Sequence, residues 1–249
     1  MEMAKTRIIP NQPALMLEEK ERNLVITDLH IGFEIHLISN DIYVKPEELV
    51  LEMQKNVQNL IKAEKADQLI VLGDIKSGIE TISKIEWSSV PQFFEIGKNI
   101  KTIVVPGNHD GNLQKLLPDY VTYTSPSGIV IDDVLLTHGH TMPSDNLSHI
   151  SKIIMGHAHP VFFQDGSVLD GQRVWVSIKT QKKEVFPSTK GNLDILVIPS
   201  FNKYLYVAQK RYKRSSSPIL KSIRNYESAN IVTLDGSIIG DKTMISSVI

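Results

Sequence analysis

Five short runs of apolar residues each lead directly into a carboxylate, an amide or an imidazole, and this pattern constrains the fold more than any other feature of the chain. Leu24 to Thr27 is followed by Asp28-Leu29-His30, Leu69 to Leu72 by Gly73-Asp74, and Thr102 to Val105 by Pro106-Gly107-Asn108-His109-Asp110. Further on, Val134 to Thr137 precedes His138-Gly139-His140, and Ile153 to Met155 precedes Gly156-His157-Ala158-His159. Runs of this length, rich in Val and Ile, read as buried strands. In open α/β sheets ligands gather beyond the carboxyl ends of the strands, so the five loops can converge on one crevice.

The segments between these runs predict the rest of the architecture. Pro46 with Glu47 and Glu48 marks a helix start, and Leu49, Met53, Val57, Leu60 and Ile61 recur at helical spacing. Ile85 to Lys98 reads as a second helix, interrupted by Pro91, and Asn112 to Leu117 as a short third one. Two hairpins are expected, Ala14–Leu17 with Leu24–Thr27 and Gly128–Ile131 with Val134–Thr137. Leu193 to Ile198 adds a strand, and the last strand is expected near Ile231 to Leu234. Alternation of strand and helix favours parallel pairing, while hairpins require antiparallel pairing, so an α/β fold of mixed sheets in a single domain over residues 1–249 is expected. Lys210, Arg211, Lys213, Arg214, Lys221 and Arg224 make residues 210–224 a basic surface loop, read as solvated in preference to bound to a nucleic-acid backbone.

Composition narrows the chemistry. The chain has no cysteine, so thiolate ligands and disulfides are excluded and any metal site must use His, Asp, Asn or Glu. Of eight histidines, six (His30, His109, His138, His140, His157 and His159) fall in the strand-end loops, while His36 and His149 read as surface or locally satisfied residues. Imidazole with carboxylate suits Mn, Fe, Zn, Co or Ni better than Mg or Ca, and the donors outnumber what one tetrahedral ion needs. Two divalent ions account for them better than one. A net charge of −1 gives no bulk attraction to nucleic acid or membrane. The N-terminus lacks an apolar leader and no segment is long and apolar enough to span a bilayer, so a cytoplasmic protein without a membrane partner is expected.

Each motif alone has an ordinary explanation. Asp-x-His is common, Gly-Asp after a strand is often a turn, and Gly-Asn-His-Asp can cap a helix. Their joint occurrence, in order and at strand ends, points to a metal centre.

The ordered set Asp-x-His, Gly-Asp, Gly-Asn-His-Asp, His-Gly-His and Gly-His-x-His resembles the calcineurin-like metallophosphoesterase superfamily. Asp28-Leu29-His30-Ile31-Gly32-Phe33-Glu34 and Gly73-Asp74-Ile75-Lys76 are most similar to archaeal phosphoesterases related to the SbcD repair nucleases, with weaker support from Pro199-Ser200-Phe201-Asn202. The resemblance implies a four-layer α/β/β/α sandwich of two mixed β-sheets with a dinuclear site at one edge. It implies Asp28, His30 and His159 on one ion, Asn108, His138 and His157 on the other, Asp74 bridging, and Mn as the first choice of metal. It further implies hydrolysis of a phosphoester by a metal-bridging hydroxide, with His109 unligated as the acid or electrostatic partner of the phosphate.

Asn108, His109 and His140 would face substrate, although His140 reads equally as a hydrogen-bonded loop residue. Lys76 reads as a solvated lysine. Ser77 and Gly78 replace the Asp and Arg of the phosphoprotein phosphatases, which argues against protein phosphatase activity and leaves His109 without an identified orienting partner. A phosphodiesterase or nuclease acting on nucleic acid or a nucleotide is the first expectation. A phosphomonoesterase and a non-catalytic metal-binding scaffold are the alternatives, and no protein partner is implied.

Overall fold

A computed structural model describes residues 4–34, 37, 45–205 and 217–249. The chain opens with β1 (Lys5–Ile8), β2 (Leu15–Glu18) and β3 (Arg22–Ile26), then helix α1 (Pro46–Glu64) crosses over to β4 (Gln68–Leu72). Helix α2 (Lys84–Phe94) leads to β5 (Lys101–Val105), followed by β6 (Val121–Tyr123). These strands form one sheet in the order β1-β2-β3-β4-β5-β6, antiparallel from β1 to β3 and parallel from β3 to β6.

The second sheet takes β7 (Ile129–Ile131), β8 (Val134–Thr137), β9 (Lys152–Met155), β11 (Gln172–Gln181), β12 (Asn192–Val197), β13 (Tyr226–Thr233) and β14 (Ile238–Asp241). Its order is β14-β13-β11-β12-β9-β8-β7, with β10 (Val161–Phe162) paired to β11. The pairs β8–β9 and β9–β12 are parallel and the others antiparallel, so both sheets are mixed as expected.

The two sheets pack face to face through Leu15, Leu17, Val25, Ile70 and Leu72 on one side and Val134, Leu136, Ile154 and Trp175 on the other. Leu49, Val50, Met53, Val57 and Leu60 of α1 and Val90, Phe93 and Phe94 of α2 cover the outer face of the first sheet. Each such side chain removed from water contributes about 1.5–3 kcal/mol before entropy is counted. The outer face of the second sheet is covered more thinly, by Ile219 and Leu220 of α3 (Pro218–Ser222), Val185, Phe186 and the C-terminal Ile245 and Val248. The result is the α/β/β/α order of layers.

Local chemistry explains the helix ends. Pro46 needs no donor in the first turn of α1, and Lys65 closes that helix in a left-handed conformation. Ser83 and Glu86 form a reciprocal capping box at the start of α2. Pro91 does not interrupt this helix: the carbonyl it leaves unpaired belongs to Trp87, an exposed residue that water can serve. The expected short helix near Asn112 is a single 3-10 turn, Leu113–Lys115. Of the basic segment 210–224, residues 217–224 are described, and there the surface-loop reading fails because Ile219 and Leu220 are buried in α3. Residues 210–216 and His36 lie outside the described residues, and His149 is exposed.

Glu34 is a buried liability. Burial, with the charges of Glu86 and Glu47, pushes its carboxyl up to about 7 from the ordinary 4.5, against the opposing effect of the backbone N–H groups of Glu34 and Gly32. The folded state therefore holds this proton more tightly than the unfolded chain, and stability falls as pH rises from the ordinary glutamate range through neutrality. Glu34→Gln is expected to stabilise the protein by about 2 kcal/mol at pH near 8 and to change little near pH 4. Equal Tm shifts at the two pH values in thermal melts would remove the carboxylate cost from the explanation.

Candidate metal centre

All five strand-end loops meet at one edge of the sandwich. Parallel register aligns the ends of β3, β4 and β5, and Asp28 and His30 continue the pairing, their N–H groups donating to Gly73 O (3.1 Å) and Asp74 O (2.8 Å). From the second sheet, Gly156 N donates to His138 O at 3.1 Å, which sets the β8 and β9 loops side by side. The chain then turns sharply. Asp28, His30, Asp74, His157 and His159 all have positive φ, between 42° and 65°. Left-handed backbone costs a residue with a Cβ on the order of 1 kcal/mol, so this edge concentrates strain at the residues that carry donors.

Two donor groups share one carboxylate. Asp28, His30, Asp74 and His159 form the first and Asp74, His138 and His157 the second, with the donor atoms of each group within 4.8 Å of one another. Asp74 Oδ2 lies 3.4 Å from His30 Nε2 and 3.2 Å from His138 Nε2. Asp28 Oδ1 lies 2.8 Å from His159 Nε2, and His159 Nε2 lies 3.3 Å from His30 Nε2.

These groups fit divalent cations. Asp28 and Asp74 are buried, and their ion-pair partners among the described residues are histidines alone. His138 is buried with Nδ1 donating to Leu72 O at 2.8 Å, so Nε2, 3.2 Å from Asp74 Oδ2, is the ring atom that faces the shared carboxylate. Burial alone would lower the His138 imidazole, but the Asp74 and Asp28 carboxylates outweigh it and push it up to about 9. Burial likewise opposes ionisation of Asp74, yet His138 and His30 hold its carboxyl well below the usual range. Burial, then the charge of His138, takes His157 down to about 4, which leaves it a neutral donor. A buried cluster in which imidazoles do the work of counter-ions is a set of ligands that a metal ion satisfies better.

His109 stands beside both groups. Its backbone N–H donates to Asp74 Oδ1 at 2.9 Å, its Nε2 is 4.0 Å from Asp74 Oδ2, and its ring meets that of His30 edge-on at 4.9 Å. The orienting partner not evident from sequence is a backbone atom: Nδ1 donates to Ser77 O at 2.6 Å. Lys76 holds that loop in shape. It is buried, not solvated, and its ammonium donates to the carbonyls of Gly78 and Ile79 (3.2 Å for the second). Asn108 is exposed, between Gly107 and His109, both of which pack on Asp74. The ring of His140 lies 5.3 Å from that of His138 and 6.2 Å from that of His157, and its Nδ1 is buried without a hydrogen-bond partner among the described residues.

Sequence reasoning assigned no role to three residues that position these donors. The Thr27 hydroxyl lies 2.8 Å from Asp28 Oδ2 and 2.7 Å from Leu72 O. Asp110 accepts from Ile75 N and Lys76 N through Oδ1 and from Gly107 N through Oδ2, tying two ligand loops together. Asn202 donates from Nδ2 to Leu29 O at 3.0 Å. Asp110 and Asn202 belong to quoted motifs, and their place in those motifs was the available signal.

Close packing makes Gly156 irreplaceable. A Cβ there would overlap the Thr27 hydroxyl and lie 2.6 Å from Asp28 Oδ2. Gly156→Ala is expected to displace Asp28, lowering stability by about 2–3 kcal/mol and weakening metal binding at least tenfold. Unchanged metal affinity by calorimetry would show that the loop yields without moving the carboxylate.

Residues 22–185, which include every candidate ligand, match the family described as Calcineurin-like phosphoesterase. No curated protein matches the chain in sequence. Among solved structures, the nuclease MPE of Pseudomonas putida is 15% identical, with a TM-score of 0.52 over 94% of this chain and 100% of that one, a likeness of fold. The phosphoesterase Yfce from E. coli is 17% identical over 88% of this chain and 97% of that one, at a TM-score of 0.37. With its α/β sandwich, its buried Asp and His clusters and two thirds of its length inside the family's match, the chain belongs to the calcineurin-like phosphoesterase family and is a metal-dependent hydrolase of phosphoesters.

Proposed function

We propose that the protein is a dinuclear phosphodiesterase or nuclease, with one ion held by Asp28, His30 and His159, the other by Asn108, His138 and His157, and Asp74 shared between them. The observation that carries this reading is the pair of donor groups meeting at Asp74. Divalent ions bound there, Mn²⁺ first among them, would supply Lewis acidity toward phosphoryl oxygens and make water nucleophilic near neutral pH.

The chain's own residues do the rest. His109, with Nδ1 committed to Ser77 O, can hold a proton at Nε2 for the departing alkoxide. His140, whose ring is near those of His138 and His157, is the proposed second contact of the phosphate. A diester is favoured over a monoester by charge. No Lys or Arg among the described residues pairs with the carboxylates of the centre, and Lys76 has its ammonium turned onto carbonyls. A singly charged diester needs no further cation, whereas a dianionic monoester gains from one. The motifs Asp28 to Glu34 and Gly73 to Lys76, read as a resemblance to SbcD-related enzymes, would favour nucleic acid or nucleotide substrates.

Bis-p-nitrophenyl phosphate and p-nitrophenyl phosphate, offered to the protein with Mn²⁺, test this directly. A kcat/KM at least about tenfold higher for the diester is expected. The reverse order would assign a phosphomonoesterase, and metal binding without turnover of either substrate would make the protein a scaffold.

A further inference from the structure

The edge of the sandwich that carries the ligand loops has a second opening. A cleft of about 610 Å³ is lined by Asn11, Gln172, Arg173, Lys203, Thr233 and Asp235, with Leu169, Leu234 and Ile239 as its apolar wall. Register places it at the same end as the metal centre. Val176 of β11 lies opposite Val197 of β12, and Val174 opposite Thr233 of β13, so Arg173 stands past the carboxyl ends of both β12 and β13.

Arg173 is an unneutralised charge. Its Nη1 donates to Ser200 O (2.8 Å) and Phe201 O (2.9 Å), and no carboxylate pairs with it among the described residues. Burial pushes its guanidinium down to about 10, the mark of a cation that lacks a counter-charge. Arg173 lines the cleft, and among the described residues its only hydrogen bonds are those from Nη1. Lys203, exposed at the rim, is ion-paired with Glu52 at 2.6 Å, so it serves an anion in the cleft only by exchanging that carboxylate for it. Asp235, the one carboxylate among the described residues that line the cleft, is engaged in its own turn, where Oδ1 accepts from Ser237 N at 3.0 Å and from the Thr233 hydroxyl.

A guanidinium held by two carbonyls through one nitrogen, with no described partner for its other donors, matches two oxygens of one anion. We propose that the cleft binds a phosphate-bearing anion, with Arg173 as the fork and Lys203 as the second charge. The segment that Arg173 holds also carries the Asp28 loop: Phe201 N donates to Thr27 O (2.9 Å) and Asn202 N to Asp28 O (3.3 Å). An anion in the cleft is therefore connected to the metal ligands through one short segment. Its phosphate comes either from a free small molecule or from a remote position of the substrate itself.

The test begins without metal, so that it is independent of whether the protein hydrolyses anything. Orthophosphate and a mononucleotide are titrated into full-length protein in EDTA, followed by calorimetry and by the Nε resonance of Arg173. Saturable binding is expected, abolished in Arg173→Gln and weakened about tenfold in Lys203→Glu. Lys203→Glu leaves the carbonyl bonds of Arg173 intact, so it answers for the site even where Arg173→Gln fails to fold. No saturable binding of either probe to the unmodified protein overturns the proposal, and so does binding unchanged in Lys203→Glu together with any folded Arg173 variant. Kinetics of the Mn²⁺-loaded protein then identify the source. A response of bis-p-nitrophenyl phosphate hydrolysis to orthophosphate that Lys203→Glu removes marks a free anion. A KM rise in Lys203→Glu confined to substrates with a second phosphate marks the remote position.

Discussion

Asp74→Ala is expected to lower hydrolysis by on the order of 10⁴-fold and to empty both metal positions together. Each other Asp or His ligand belongs to one donor group, whereas Asp74 belongs to both. Its Oδ2 lies within 3.4 Å of His30 and 3.2 Å of His138, and its Oδ1 accepts the backbone N–H of His109. Removing the carboxylate therefore leaves imidazoles from both sheets without the anion that gathers them, and frees the loop that carries the proposed acid. Asp74→Asn separates these roles, because an amide oxygen still accepts from His109 N but brings no charge. Metal analysis should find both ions lost in Asp74→Ala and weakly held in Asp74→Asn. Two firmly bound ions in the alanine variant would mean that Asp74 is not shared.

His109→Ala gives the second large effect, with the opposite signature. Turnover of an alkyl diester is expected to fall by about 10²–10⁴-fold while both ions stay bound. The leaving group sharpens the test. A p-nitrophenolate departs as a stable anion and needs little help from a proton donor, so the loss should be much smaller for bis-p-nitrophenyl phosphate than for a dinucleotide. Equal losses on the two substrates would make His109 an electrostatic contact of the phosphate instead of its proton source. Lys76→Met provides a control for positioning: it should reproduce part of the dinucleotide loss by letting Ser77 O drift from Nδ1, without altering metal stoichiometry.

Sequence revealed the strands at whose ends polar residues cluster, because a buried strand and a ligand loop are both local signals. It revealed less of the second sheet. β11 is ten residues long, but Arg173, Ser177 and Lys179 interrupt its apolar run, and its burial comes from neighbours on both sides. The last strand was expected near Ile231 to Leu234, whereas β13 starts at Tyr226 and β14 follows it. The supports of the centre escaped for a related reason. Asp110 binds Ile75 and Lys76 across more than thirty residues of chain, and Asn202 binds Leu29 across 173. Lys76 looked solvated because lysine usually is, yet here two carbonyls satisfy its ammonium in a buried site. Spacing indicates which residues carry donors, and only the folded chain determines which backbone atoms aim them.

The left-handed backbone at five of the donor-bearing residues bears on how ions come and go. These turns are tied to one another by main-chain hydrogen bonds, such as those from Asp28 to Gly73 and from His30 to Asp74, so the strained ligand loops brace one another through the backbone. Dialysis against a chelator followed by a different divalent ion is expected to exchange the occupant without passing through the unfolded chain. Which ion the protein carries would then follow from what its surroundings supply.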